Sequence, residues 1–195
     1  PLIIIGFVWL LYYKLPKLHF IPFLAAAGVI ISYLFYLLLN QPLLAYLFGW
    51  RTLFVPADLT YLYFNFFSMN EFVFWSNSFL SSFFEYPYLV GVSQLIGDFQ
   101  GTGWSANNGF ISKGFSNAGL FGVLFYSLIL IVLLKVLDRS CYQGKDGWFT
   151  LSLVLPHFIS ILTSVDLLTT LLTHGFLLVI IIVVFVSAEK PKVPA

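Results

Sequence analysis

Charge is what this chain has least of. Only 9% of its 195 residues are Asp, Glu, Lys or Arg, against about 25% in an ordinary soluble domain. That is too little to wet the surface of a soluble domain of this size. Nine basic and eight acidic residues leave a net charge of +1. A nucleic-acid partner is therefore not expected, because it needs clustered Lys and Arg. Cysteine is nearly absent too. The single Cys141 excludes a disulfide within the chain and any thiolate metal cluster. His19, His157 and His174 lie far apart, outside any metal-ligand spacing such as HExxH. There is no Asp-rich cluster for a divalent ion, and no P-loop, dinucleotide fingerprint or nucleophile elbow. Neither a metal nor a cofactor is expected. Internal repeats and low-complexity stretches are also missing.

What the chain does have is apolar surface. Sixty per cent of residues are apolar and 20% aromatic. A membrane-spanning helix needs about 20 mostly apolar residues. Runs at about 2–13, 19–39 and 119–137 meet or approach that length, and the run 148–186 is about twice as long. Asp166, flanked by Thr163, Ser164 and Thr169, sits near the middle of that last run. It predicts a tight hairpin, with spans at 148–165 and 167–186. The expected fold is all-α: a polytopic transmembrane helical bundle forming a single domain over 1–195, with a long outer region at 40–118. The chain opens at Pro1, without Met, inside an apolar run, so it is expected to be the C-terminal part of a longer protein. Residues 1–13 lack the basic n-region and cleavage site of a signal peptide.

Basic residues give the orientation. Lys14 and Lys17, then Lys135, Arg139 and Lys145, then Lys190 and Lys192, all belong on the cytoplasmic side. They agree only if the awkward segment Pro42–Phe67, apolar but holding Arg51, Pro56 and Asp58, does not cross. It is expected to lie in the outer interface or to re-enter. Tyr46, Trp50, Tyr61 and Tyr63 suit that depth, since amphipathic rings favour headgroups. Residues 40–118 then face outward, carrying Glu71, Glu85 and Asp98 with Arg51 and Lys113 as the only cations. The cytoplasmic loop at 138–147 has no catalytic pattern.

Four kinds of residue could carry chemistry. Arg51 sits among apolar and aromatic neighbours, where an arginine is unfavourable without a partner. Its planar fork suits a phosphate or carboxylate; the plainer readings are snorkelling to headgroups or pairing with Asp58. Asp166 suits a helix N-cap, and equally a carboxylate that orients a sugar hydroxyl or an arginine. His174, eight residues into the expected last helix and about 12 Å below the turn, suits either a general base or a helix–helix hydrogen bond beside Gly175. His157, after Pro156, is expected to be structural. The fourth is the polar stretch GTGWSANNGFISKGFSNAGLFG at 101–122. Its glycines give backbone freedom, and Asn107, Asn108 and Asn117 offer paired donors and acceptors. Trp104 and Phe110 offer flat apolar faces, and Lys113 adds a cation. Amides beside aromatic rings suit a sugar, although an interfacial aromatic belt with ordinary turns has the same composition. Trp75, Asn77, Tyr86 and Tyr88 repeat that chemistry upstream.

These blocks carry a resemblance. RTLFVPADLTYLYFNFFSMN, FVFWSNS, LIGDF, SANNGFISKGFSNAGLFG and LTSVDLLTTLLTHG, in that order over about 45–180, resemble the oligosaccharide repeat-unit polymerases. These are the Wzy-type O-antigen and capsule polymerases of bacterial envelopes. The resemblance implies a polytopic inner-membrane glycosyltransferase, similar in architecture to O-antigen ligases, that acts at the periplasmic face. Its substrate would be undecaprenyl-pyrophosphate-linked oligosaccharide, among membrane lipids and alongside chain-length regulator and flippase proteins. It would need no nucleotide sugar and no metal. It implies that Arg51, with Lys113 second, holds the pyrophosphate, and that His174 or Asp166 deprotonates the acceptor hydroxyl. Asn107, Asn108, Trp104 and Asp98 join the substrate-binding set. Such sites usually carry more than one outer arginine, and here there is one. An O-antigen ligase and a flippase or transporter of lipid-linked oligosaccharide are the competing readings. A transporter should show repeats and polar residues at several midplane depths; here the polar residues gather on one side. A purely structural membrane subunit fits less well with so many outer Asn, Gly and aromatic residues.

Overall fold

The computed structural model describes residues 20–78, 80–143 and 147–188. The run at 2–13, His19, Lys14, Lys17, Lys145, Lys190 and Lys192 lie outside them. All regular structure among the described residues is helical. Helix α1 (Phe20–Leu39) leads into a short turn of helix, α2 (Pro42–Leu44). A π-helical segment (Ala45–Phe54) and α3 (Val55–Phe67) continue from it. After a long irregular stretch come α4 (Val92–Phe99), α5 (Phe110–Gln143), α6 (Gly147–Thr163), α7 (Leu167–Leu172) and α8 (Phe176–Ala188).

The segment 42–67, expected to lie in the outer interface or to re-enter, is helical throughout. Leu44 and Val55, at the two ends of the π-helical segment, both keep right-handed helical angles. Pro56 stands in the first turn of α3, where a missing N–H matters least. The backbone N–H just before it, that of Val55, reaches back to Trp50 O in the wide π register. π turns of this kind are rare and mark places where the ordinary ladder is interrupted.

The expected single helix over 167–186 is two. It breaks at Thr173–Gly175, with Gly175 in the left-handed region at φ 78°. Helix α5 also breaks, at Ala118 (φ −152°, ψ 32°) and Gly119 (φ 60°, ψ −141°). The reversal there is tight. A β-carbon on Gly122 would stand 1.9 Å from Gly114 O, so the two halves of α5 touch backbone to backbone.

Phe110–Ser140 is the one stretch among the described residues long and apolar enough to cross a membrane. Ala26–Leu39, Phe149–Thr163 and Phe176–Val186 are shorter apolar helices. Leu120, Phe121, Leu124, Phe125, Leu128 and Val132 point outward from α5.

Two apolar cores hold the described chain. One packs the second half of α5 against α6, α7 and α8 through Tyr126, Leu130, Ile161, Leu167, Phe176 and Val183. The other packs α3 and α4 against the first half of α5 through Tyr63, Phe67, Val73, Ile96 and Phe115. Phe64 and Phe115 stack at 3.7 Å there. The break in α5 lets one helix serve both cores.

Candidate functional site

A cavity of about 170 Å³ is lined from both cores, and its wall is mostly polar. The break in α5 explains how it is built. A helix end leaves its last carbonyls without partners. Here Ser116 O and Asn117 O accept from the N–H groups of Val73 and Phe74, each at 2.9 Å. Asn117 Oδ1 accepts from Trp75 N at 2.9 Å, and its Nδ2 donates to Lys113 O at 2.7 Å. The strap 73–75 is thereby sewn onto the helix end, which carries Trp75, Asn77 and Ser78 to the cavity. Phe74 and Trp75 take φ of 50° and 54°, a left-handed conformation that bulky residues rarely adopt.

Lys113 is the cavity's cation. Its Nζ donates to Ser93 Oγ at 2.7 Å and lies 5.4 Å from the centroid of the Tyr63 ring, within reach of a cation–π attraction. Tyr63 is in turn buried and fixed by donating to Ala106 O at 2.9 Å. Asp166 is the cavity's carboxylate, and it acts electrostatically on Lys113. Asp166 N-caps α7: Oδ2 accepts from Leu168 N at 3.0 Å and Thr169 N at 3.1 Å. Oδ1 accepts from Tyr126 Oη at 2.7 Å. The N-cap and the site carboxylate are therefore one residue. Farther out, burial pushes the Tyr88 phenol up, with the Glu71 charge adding to it. The neutral hydroxyl donates to Glu71 O and ties down the loop.

The residues expected from sequence are thus divided. Lys113 and Asp166 meet in one cavity, joined by Trp75, Asn77 and Asn117. Arg51 is exposed on the π-helical segment and is not part of the cavity wall. Asp58 accepts a long 3.5 Å bond from Gln100 Nε2. His174 is exposed, in the break between α7 and α8 rather than within a helix. His157 stacks on the Phe176 ring at 5.0 Å. Asn107 is exposed on the loop before α5, but Asn108 is only 1% exposed. Its amide nitrogen lies within 3.0 Å of Pro56 O, Thr60 Oγ1 and Ser112 Oγ. It ties α3 to α5 and has no face left for a ligand. Trp104 is 80% exposed, with its carbonyl seated where a β-carbon on Gly97 would be. Asp98 is exposed and accepts from Gln94 Nε2 at 2.8 Å.

Sequence reading missed Tyr126 and Ser93. Tyr126 had a signal: a phenol inside the apolar run GLFGVLFYSLILIVLL needs a partner. Ser93 had none, because a serine at the start of a short helix is ordinary.

Comparison with family models, with curated proteins and with solved structures finds no match for this chain.

Proposed function

We propose that the chain polymerises undecaprenyl-pyrophosphate-linked oligosaccharide repeat units into O-antigen or capsular polysaccharide. It would do so as a multi-pass protein of the bacterial inner membrane, acting as a metal-independent glycosyltransferase at the periplasmic face. One observation carries the reading. Sequence blocks that resemble these polymerases, far apart in the chain, supply the wall of a single cavity. FVFWSNS contributes Trp75 and Asn77, SANNGFISKGFSNAGLFG contributes Lys113 and Asn117, and LTSVDLLTTLLTHG contributes Asp166 and Thr169. RTLFVPADLTYLYFNFFSMN supplies Tyr63, whose ring lies against the lysine.

The chemistry of such a transfer fits those groups. The acceptor hydroxyl attacks the anomeric carbon of the donor glycan, and the bond from that carbon to the pyrophosphate oxygen breaks. The hydroxyl proton passes to a base, and undecaprenyl pyrophosphate leaves with the bonding electrons. Asp166 is the better-placed base of the two sequence candidates, since it lines the cavity while His174 is on the surface. Its Oδ1 accepts from Tyr126, and a carboxylate oxygen has a second lone pair for the acceptor hydroxyl. A positioned base contributes typically about 10²–10⁴-fold. Lys113 puts positive charge where negative charge develops on the leaving group. Arg51, on the exposed side of the π-helical segment, serves the donor's phosphates outside the cavity.

The test is a gel of surface polysaccharide from cells lacking the gene beside cells carrying it. The expected result is collapse of the long-chain ladder to core plus a single repeat. Failure of any repeat to reach the core would overturn the polymerase reading in favour of a ligase or flippase.

A further inference from the structure

The geometry points to Tyr126 as a positioning residue that acts through Asp166 and is itself held by the indole of Trp75. The inference rests on the proposed role of Asp166. Tyr126 is fully buried in the apolar half of α5. Its hydroxyl is engaged on both sides: Trp75 Nε1 donates to it at 2.8 Å, and it donates to Asp166 Oδ1 at 2.7 Å. Chemistry fixes those directions. An indole N–H only donates and an ionised carboxylate only accepts, so the phenol must take from one and give to the other.

A chain that ends on an indole N–H has no proton to relay, so its use is mechanical. Oδ2 is pinned by the backbone N–H groups of Leu168 and Thr169, and Oδ1 is pinned from another helix by Tyr126. Two anchors on different elements fix the plane of the carboxylate, and with it the direction of the remaining Oδ1 lone pair. A second observation supports this use of Trp75. The strap that carries it holds two successive bulky residues, Phe74 and Trp75, in the left-handed region. Such strain persists only where the surroundings over-determine it. Here the bonds from Val73, Phe74 and Trp75 to Ser116 and Asn117 do so. The strained strap aims one indole N–H at one hydroxyl, and its ring packs 6.0 Å from that of Tyr126.

Aim matters when the proton moves, so the effect belongs to kcat; acceptor binding is shared with other groups of the wall. The test uses the full chain in lipid nanodiscs, with rates scaled to folded protein. The substrate is lipid-linked repeat units extracted from source cells that lack the gene. Tyr126→Phe keeps the ring and removes the hydroxyl. It should lower kcat about tenfold, as expected for one hydrogen bond to a charged group, and leave KM within about twofold. Trp75→Phe should lower kcat about threefold. The double variant should match Tyr126→Phe alone, because both changes act through one oxygen. Ser127→Ala, on the same helix with its hydroxyl on Val123 O, should keep full kcat.

Wild-type kcat in Tyr126→Phe would overturn the inference. So would a double variant showing the product of the two single effects. Should Tyr126→Phe not fold, the kcat loss at unchanged KM in Trp75→Phe decides alone. Asp166→Asn separates the two levels. If it keeps wild-type kcat, the reading of Asp166 as the base fails. If it is inactive while Tyr126→Phe is normal, only the positioning role fails.

Discussion

Lys113 and His174 are the residues at which sequence and structure weigh chemistry differently. Both are isolated ionisable groups in or beside apolar segments, and composition treats them alike. The fold does not. Lys113 is held between Ser93 and the Tyr63 ring and faces the same cavity as Asp166. An ammonium held in such a setting has lost much of its water, and that loss must be offset by nearby negative charge. Lys113→Met keeps the length of the side chain and removes the charge. It should abolish long chains on a polysaccharide gel while an immunoblot still finds the protein in the membrane fraction; a normal ladder would remove Lys113 from the site. His174 is exposed where the chain turns from α7 into α8. His174→Gln should leave chain length unchanged, and loss of polymer would return the base to His174. Asp166 was legible in the sequence because an N-cap is decided by its own neighbours. That Lys113 and Asp166 line one cavity was not, because it depends on which helices pack together.

Helix α5 carries the largest difference between the expected and observed elements. The run expected to start at Gly119 does start there, after the break at Ala118 and Gly119; what differs is that the polar stretch before it, from Phe110, is helical and packs back on it. Apolar length finds the second half, but it reports neither the helix in the polar first half nor the tight reversal between them. What marks it is glycine chemistry. Gly119 takes φ 60° with the Phe72 ring against it, and Gly122 lies on the Gly114 carbonyl. Gly122→Ala would push a methyl into backbone, which cannot yield as a side chain can. Overpacking of this kind is typically destabilising by about 1–3 kcal/mol. Thermal unfolding in detergent should show the drop. Gly28→Ala is the control: nothing lies within 4 Å of the added carbon inside α1, and alanine is the better helix former by roughly 0.5–1 kcal/mol. An equal fall in both variants would mean that the Gly114–Gly122 contact does not hold the corner. The same corner frees the carbonyls that the 73–75 strap caps, so Gly122→Ala should also reduce polymer.

At the scale of the whole molecule, the all-helical architecture was legible from apolar runs, and α1 and α6 lie over the runs expected at 19–39 and 148–165. The side of the membrane each region would face is an expectation from charge alone, and it makes a separate prediction. From the break at Gly119 to Arg139, helix α5 extends about 30 Å at helical rise, which is the thickness of the hydrocarbon core. The polar cavity is lined from around the break, and the exposed Lys135 and Arg139 lie toward the other end. Basic residues stay cytoplasmic, so the cavity should open outward. Asn77 is exposed and lines it. In a Cys141→Ser background, Asn77→Cys should react with a membrane-impermeant thiol reagent added to intact spheroplasts. Arg139→Cys should react only after the membrane is opened. Labelling of both from outside would mean that this length of α5 does not cross, and labelling of Arg139→Cys alone would invert the orientation. Either result would remove the periplasmic reaction. The expected pattern makes a further demand. A bulky label on residue 77 fills part of a cavity of about 170 Å³, so labelled cells should stop extending polymer while unlabelled Asn77→Cys cells continue.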